Sequence, residues 1–254
     1  VESYATAREV FAAGLVFARV AAVVMLLPGV GEQGVPPRVR LGLALLFSLF
    51  LFPGVAPGLP AVPAGLGGLV GMVLHEILVG LLIGTILRLF LSSLSVAGEI
   101  VSLQTTLGFA QTANPMEAAP STSLSTFLTV MGLTLIFATN LHHLFLGALF
   151  NSYDVFQVQK TIPIGDAVAL AVQTVGKSFA LGVQLAAPVI VFALVFNIAT
   201  GLVGRVMPTF QVFFVASPLA VLFGLSIFAL SLGVLGMVWI DHYRDLAATF
   251  TPGR

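Results

Sequence analysis

The chain has 254 residues, 58% of them hydrophobic and only 8% charged, with Lys+Arg 10 balanced against Asp+Glu 10. A soluble domain carries about 25% charged residues, so this composition excludes one and fits an integral membrane protein, or part of an equally apolar assembly. Zero net charge leaves no basic patch for nucleic acid, and the absence of cysteine removes disulfides, thiol nucleophiles and thiolate metal sites.

No charged residue occurs from Leu41 to Leu74, from Ser178 to Gly204 or from Val206 to Ile240. Each run exceeds the roughly 20 apolar residues that cross a bilayer core as a helix. At that length per span the chain holds about six spans with short loops and no separate soluble domain. The chain opens on Glu2, Arg8 and Glu9 without a small-residue cleavage pattern, which argues against a cleavable signal peptide.

The first apolar block runs from about Val10 to Val30, with Arg19 in its middle. A cation there is costly in lipid, so Arg19 is expected to pair with a carboxylate or helix carbonyls in a protein interior. Pro36-Pro37 separates this block from the second, Val39 to Phe52, because proline cannot continue a helix. Pro53, Pro57, Pro60 and Pro63 read as an extended, uncharged connector.

The third block, Gly65 to Leu91, places Glu76, Gly80, Gly84 and Arg88 at i, i+4, i+8 and i+12, along one helix face. Gly80 and Gly84 form a small-xxx-small pattern that lets another helix approach, as do Gly67 and Gly71. Helix packing is the favoured reading, and an ion path through Glu76 is the alternative. Glu76 and Arg88 are expected to have partners either way. His75-Glu76 lacks the second histidine of a zinc-protease helix.

Ser92 to Ser123 is more polar than its neighbours yet nearly uncharged. It reads as a loop, either outside the membrane or lining or plugging a protein cavity. The fourth block runs Leu124 to Phe150. His142 and His143 within it point about 100° apart on a helix and cannot face one metal ion together. Pro163-Ile164-Gly165-Asp166 marks a turn, with Asp166 as the expected N-cap.

The fifth block, Ala167 to Val203, would be roughly 55 Å long at ~1.5 Å per residue, against ~30 Å of hydrocarbon. The sixth is Phe210 to Ile240. Pro188 and Pro218 are expected to kink or break these two helices, joined at Arg205-Val206-Met207-Pro208.

Several stretches, in order, resemble the FliR family of type III export-gate proteins. Arg19-Val20, Leu27-Pro28 and Val35-Pro36-Pro37-Arg38-Val39-Arg40-Leu41 resemble its opening. Glu76, Gly80 and Gly84 followed by Ala97-Gly98-Glu99-Ile100 resemble its next stretch. Gln104, Leu107-Gly108-Phe109-Ala110 and Asn114-Pro115 resemble a loop of the family, and Asn140-Leu141-His142-His143 with Ser152 a later stretch. Arg205, Pro208, Val212-Phe213, Pro218-Leu219 and Gly224-Leu225 resemble its close. Asn114 stands where the family usually has Asp, Leu141 where it has Gly, and Thr209 and Gln211 in the region usually read as Gln and Asn.

The resemblance implies an all-α, multi-helix membrane protein similar to a fusion of the FliP and FliQ gate subunits. Residues 1–165 would be the FliP-like part and residues 166–254 a FliQ-like hairpin. It implies a structural, non-enzymatic pore subunit in the bacterial inner membrane, at the flagellar basal body, with no cofactor or metal. Partners would be FliP-like and FliQ-like chains, FlhB-like and FlhA-like export components, unfolded export substrates and membrane lipid. The family's plug maps to Gln104, Gly108, Phe109, Ala110, Asn114, Pro115 and Met116. Arg19, Glu76, Gly80, Gly84, Arg88, Glu99 and Arg205 are assigned to helix packing and buried charge. The competing reading is a secondary transporter of small solutes with broken helices, which should show an internal repeat; none is evident between the halves.

Overall fold

The computed structural model describes residues 6–32, 34–108, 122–158, 164–207 and 212–248. Thr6 starts helix α1 (Ala7–Leu26) with a capping box. Its hydroxyl accepts the Glu9 N–H at 3.3 Å, while its own N–H donates to the Glu9 carboxylate at 2.6 Å. Pro28 follows the end of α1. Helix α2 (Pro37–Val55) begins with proline in its first turn, where a missing N–H costs nothing. Arg40 secures the intervening turn by donating to the carbonyls of Val35 and Glu32 at 3.0 and 2.7 Å.

Pro53 lies inside α2, and Ala56–Gly58 forms a 3-10 turn. The proline-rich connector is therefore helical in its first half. Pro53 supplies no N–H to the Leu49 carbonyl four residues earlier, and only Gly54 and Val55 continue the helix beyond it.

Helix α3 runs from Leu66 to Gln104. The stretch read as a loop from Ser92 is thus helical through Gln104. Ser93, Ser95 and Glu99 find partners inside the protein, so their polarity does not exclude helix. The block Leu124 to Phe150, in contrast, is broken. Helices α4 (Ser123–Ala138) and α5 (His142–Val155) meet at a 75° bend. Asn140 sits in the bend at φ 57°, a left-handed conformation that Asn adopts more readily than most residues.

Helices α6 (Ile164–Val206) and α7 (Val212–Ala248) complete the chain. Asp166 lies inside the first turn of α6 rather than at its N-cap. Pro188 and Pro218 lie inside α6 and α7, and neither breaks its helix. Proline removes one internal hydrogen bond, and long helices absorb that loss locally. Among the described residues five helices are long and apolar enough to cross a membrane, or six if the bent α4–α5 pair counts as one span.

The chain divides into two compact units. One comprises Val1–Phe90, Asn140–Val175 and Arg244–Arg254, and the other Leu91–Thr139 and Gly176–Tyr243. In the first, α1 packs along α2, and Leu15, Val16, Val20, Val79, Ile83 and Leu149 are buried. In the second, Leu94, Ala97, Leu128, Ile136, Ala186 and Trp239 are buried. Trp239 donates its indole N–H to the Ser93 hydroxyl at 3.1 Å, which satisfies its one polar atom.

Candidate functional site

The first unit contains a buried ion pair. Arg19 on α1 and Glu76 on α3 are both fully buried. Arg19 Nε donates to Glu76 Oε2 at 2.8 Å and Nη2 to Oε1 at 2.7 Å, a bidentate arrangement. Nη1 donates to the Ser152 hydroxyl at 3.1 Å, and Nη2 also reaches the Phe156 carbonyl at 2.8 Å. The Ser152 hydroxyl in turn donates to the Leu149 carbonyl at 2.7 Å. The Tyr153 ring lies against the guanidinium, 3.9 Å from centroid to Cζ. His75 Nδ1 lies 3.4 Å from Glu76 Oε1. One guanidinium therefore joins α1, α3 and the end of α5.

Removing two charges from water is costly, and it is sustained only where the remaining donors are matched. Each of the three guanidinium nitrogens has a partner here. The arrangement holds helices together.

The glycine face makes that pairing possible. A Cβ at Gly80 would fall 2.5 Å from the Arg19 carbonyl oxygen and 2.7 Å from the Ala22 Cβ. At Gly84 it would fall 2.8 Å from the Leu26 Cβ. The Gly80–Gly84 stripe is thus filled by α1 of the same chain. Gly67 and Gly71 have open space instead. Arg88, on the same stripe, is half exposed and lies 3.9 Å from the Glu32 carboxylate, a distance and exposure at which a pair is worth little.

The second unit holds the base of the loop-like stretch. The Glu99 carboxylate accepts the Thr122 N–H at 2.9 Å. Thr122 is the N-cap of α4, its hydroxyl accepting the Ser125 N–H at 3.2 Å. Ser95 and Ser125 share a hydroxyl–hydroxyl bond of 2.8 Å. A Cβ at Gly98 would overlap the Ser125 Cα, so α3 and α4 touch backbone to backbone here. Gln104 is the last residue of α3. Thr106 follows at φ 62°, unusual for a β-branched residue. Gly108 closes the described stretch, and Phe109, Ala110, Asn114, Pro115 and Met116 lie outside the described residues. Arg205 is exposed in the last turn of α6, where a cation complements the helix dipole.

Arg19, Glu76, Gly80 and Gly84 therefore form one constellation, while Glu99 belongs to a different one with Thr122 and Ser125. Sequence reasoning missed Tyr153 and Phe156 as neighbours of Arg19, and Ser95 and Thr122 at the loop base. The signal for Tyr153 was a polar aromatic within Asn151-Ser152-Tyr153-Asp154, the polar end of α5. Phe156 contributes only its backbone and left no signal.

Residues 10–246 match the model of the family described as bacterial export proteins, family 1. The chain is similar to the flagellar biosynthetic protein FliR of Caulobacter vibrioides, 59% identical over 98% of this chain and 99% of that protein. It is also similar to the FliR proteins of Aquifex aeolicus, 32% identical over 93% and 91%, and Escherichia coli, 29% identical over 83% and 80%.

Proposed function

The chain belongs to family 1 of the bacterial export proteins, and from that premise we propose that it is a structural, non-enzymatic subunit of the flagellar protein export gate. It forms a channel with FliP-like and FliQ-like subunits in the bacterial inner membrane, next to FlhB-like and FlhA-like components. The segment from Gln104 to Pro120 closes that channel, and unfolded export substrates pass when it opens.

The observation that carries this reading is the 59% identity, over nearly the whole of both chains, to a flagellar biosynthetic protein. Physical features agree with it. Phe50, Val206, Phe214 and Leu230 are 72% to 85% exposed, and side chains of that kind need lipid or the helices of sister subunits around them. Glu99 and Thr122 clamp the chain on α3 and just before α4, on either side of residues 109–121. A closing loop needs such a firm base and a protein-lined cavity to occupy.

The test is replacement in a flagellated bacterium lacking its own FliR gene. Expression of this chain is expected to restore secretion of filament protein and swimming. Purification through a tag on the chain is expected to bring FliP-like and FliQ-like subunits with it. A chain that purifies alone and leaves secretion absent would overturn the reading.

A further inference from the structure

Beyond the buried ion pair, the first unit contains a cavity of about 210 Å³. Its walls come from the end of α2 with the following 3-10 turn, and from α5 with the residues after it. At ~30 Å³ per water this is room for about seven waters, or for one long side chain. Val55, Leu59 and Phe150 supply an apolar wall, and Tyr153, Asp154 and Gln157 supply polar groups. Gly54 permits this shape: a Cβ there would lie 2.9 Å from the Phe150 ring.

Two of the polar groups are unspent. The Tyr153 hydroxyl is buried and makes no hydrogen bond among the described residues. Asp154 is exposed at the cavity and has no hydrogen bond or ion pair among them. The nearby Arg19 is already neutralised by Glu76, so among the described residues the uncompensated charge at this cavity is the Asp154 carboxylate.

We infer that this cavity receives one basic side chain, a lysine or arginine, from a neighbouring protein chain. The carboxylate meets the cationic head, and the phenol and amide oxygens accept its remaining N–H groups. The apolar wall covers the methylene stem, as amphipathic basic side chains require. A calcium ion fits poorly, because such sites gather several carboxylate and carbonyl oxygens and one carboxylate lines this cavity. This inference rests on the gate reading in that other subunits surround the chain, and it does not depend on the channel being closed by a loop.

The test uses the complex isolated from its own membranes, with the photoreactive residue p-benzoylphenylalanine placed at Gly58, which lines the cavity and where a Cβ would meet open space. After irradiation, mass spectrometry locates the adduct. The expected adduct lies beside a lysine or arginine of another chain in the complex. Asp154→Asn is expected to lower its yield about fivefold, as befits a partly exposed ion pair, and Asp154→Glu to restore it. Size-exclusion profiles of both variants establish that the complex still assembles. Should Asp154→Asn lose the complex, adduct yield is compared in Tyr153→Phe, which removes only the hydroxyl and should lower it as well. An adduct confined to lipid, to this chain's own residues, or to a partner segment without a basic residue would overturn the inference. So would a yield indifferent to the available variant.

Discussion

Gly80 sits where the chain leaves no room for a side chain: a Cβ there would lie 2.5 Å from the carbonyl oxygen of Arg19. One turn earlier on the same face, Glu76 reaches the Arg19 guanidinium at 2.7 Å. The two facts are connected. The glycine sets how closely α3 can approach α1, and that approach lets a short carboxylate side chain meet the guanidinium with both oxygens.

Gly80→Ala should therefore destabilise the chain. Alanine favours helix over glycine by ~1 kcal/mol, but the obstacle is backbone and cannot swing aside. Overpacking of this kind costs about 1–3 kcal/mol, so the sign is set by the clash. Gly71→Ala, on the same helix but facing open space, should be neutral or mildly stabilising. Leu82, partly buried against Ile86 and Ala148, should tolerate Leu82→Ala better than Gly80 tolerates Leu. Thermal unfolding midpoints in detergent measure all four, and equal midpoints for Gly80→Ala and Gly71→Ala would remove the close-approach argument.

The ion pair itself gives a sharper test. Arg19→Lys keeps the charge but loses the planar fork that serves Glu76, Ser152 and Phe156 together. Glu76→Gln leaves a buried guanidinium without its counter-charge. Breaking a buried pair from one side costs about 3–5 kcal/mol, enough to unfold a marginal protein. Arg19→Met and Glu76→Met each strand one buried charge, and the two together remove both and should be milder than either alone. A double-mutant cycle on detergent unfolding reads the coupling directly. Additive effects would mean that the pair contributes nothing as a pair.

How much of this was legible depends on what each residue does. The apolar runs announced membrane-length helices, because charge is excluded where helices face lipid or the apolar faces of other helices, although the run Leu41 to Leu74 is shared between α2 and α3. The expectation that Arg19 would meet a carboxylate or helix carbonyls named the right chemistry without its geometry. The partner, Glu76, lies 57 positions away, and nothing local encodes that pairing. The 75° break between α4 and α5 was missed, since Leu124 to Phe150 reads as one apolar block. Its signal was Asn140, the residue able to sit at φ 57°, inside a run otherwise fit to continue as helix. Pro53, read as part of an extended connector, lies within a helix, and Pro188 and Pro218, expected to kink or break theirs, do not break them; in long apolar helices one lost hydrogen bond is offset by packing along the rest.

At the loop base, Glu99→Ala should release the Thr122 amide. A carboxylate–amide bond is worth about 1.5–3 kcal/mol when shielded, and Thr122 is buried at 8% exposure. Hydrogen exchange at that amide should accelerate about tenfold, since 1.4 kcal/mol corresponds to one decade. Glu99→Gln keeps an acceptor oxygen and should accelerate it less. Equal exchange in the parent and Glu99→Ala would mean that the bond does not hold the start of α4 in solution.

The closing role proposed for Gln104 to Pro120 makes the last prediction. The stretch is too polar to face lipid and carries too little charge for an ordinary solvated linker. Phe109 and Met116 are its bulky apolar side chains, suited to sealing a narrow channel by excluding water. The anchors of the stretch, Glu99 and Thr122, lie outside residues 108–114. Deleting Gly108 to Asn114 should therefore leave the helices and the assembled complex intact while making the membrane permeable to small ions. The measurement is conductance of the purified complex in planar bilayers, beside a size-exclusion profile of the same sample. A deleted complex that assembles normally yet conducts no more than the parent would show that the channel is closed by something else.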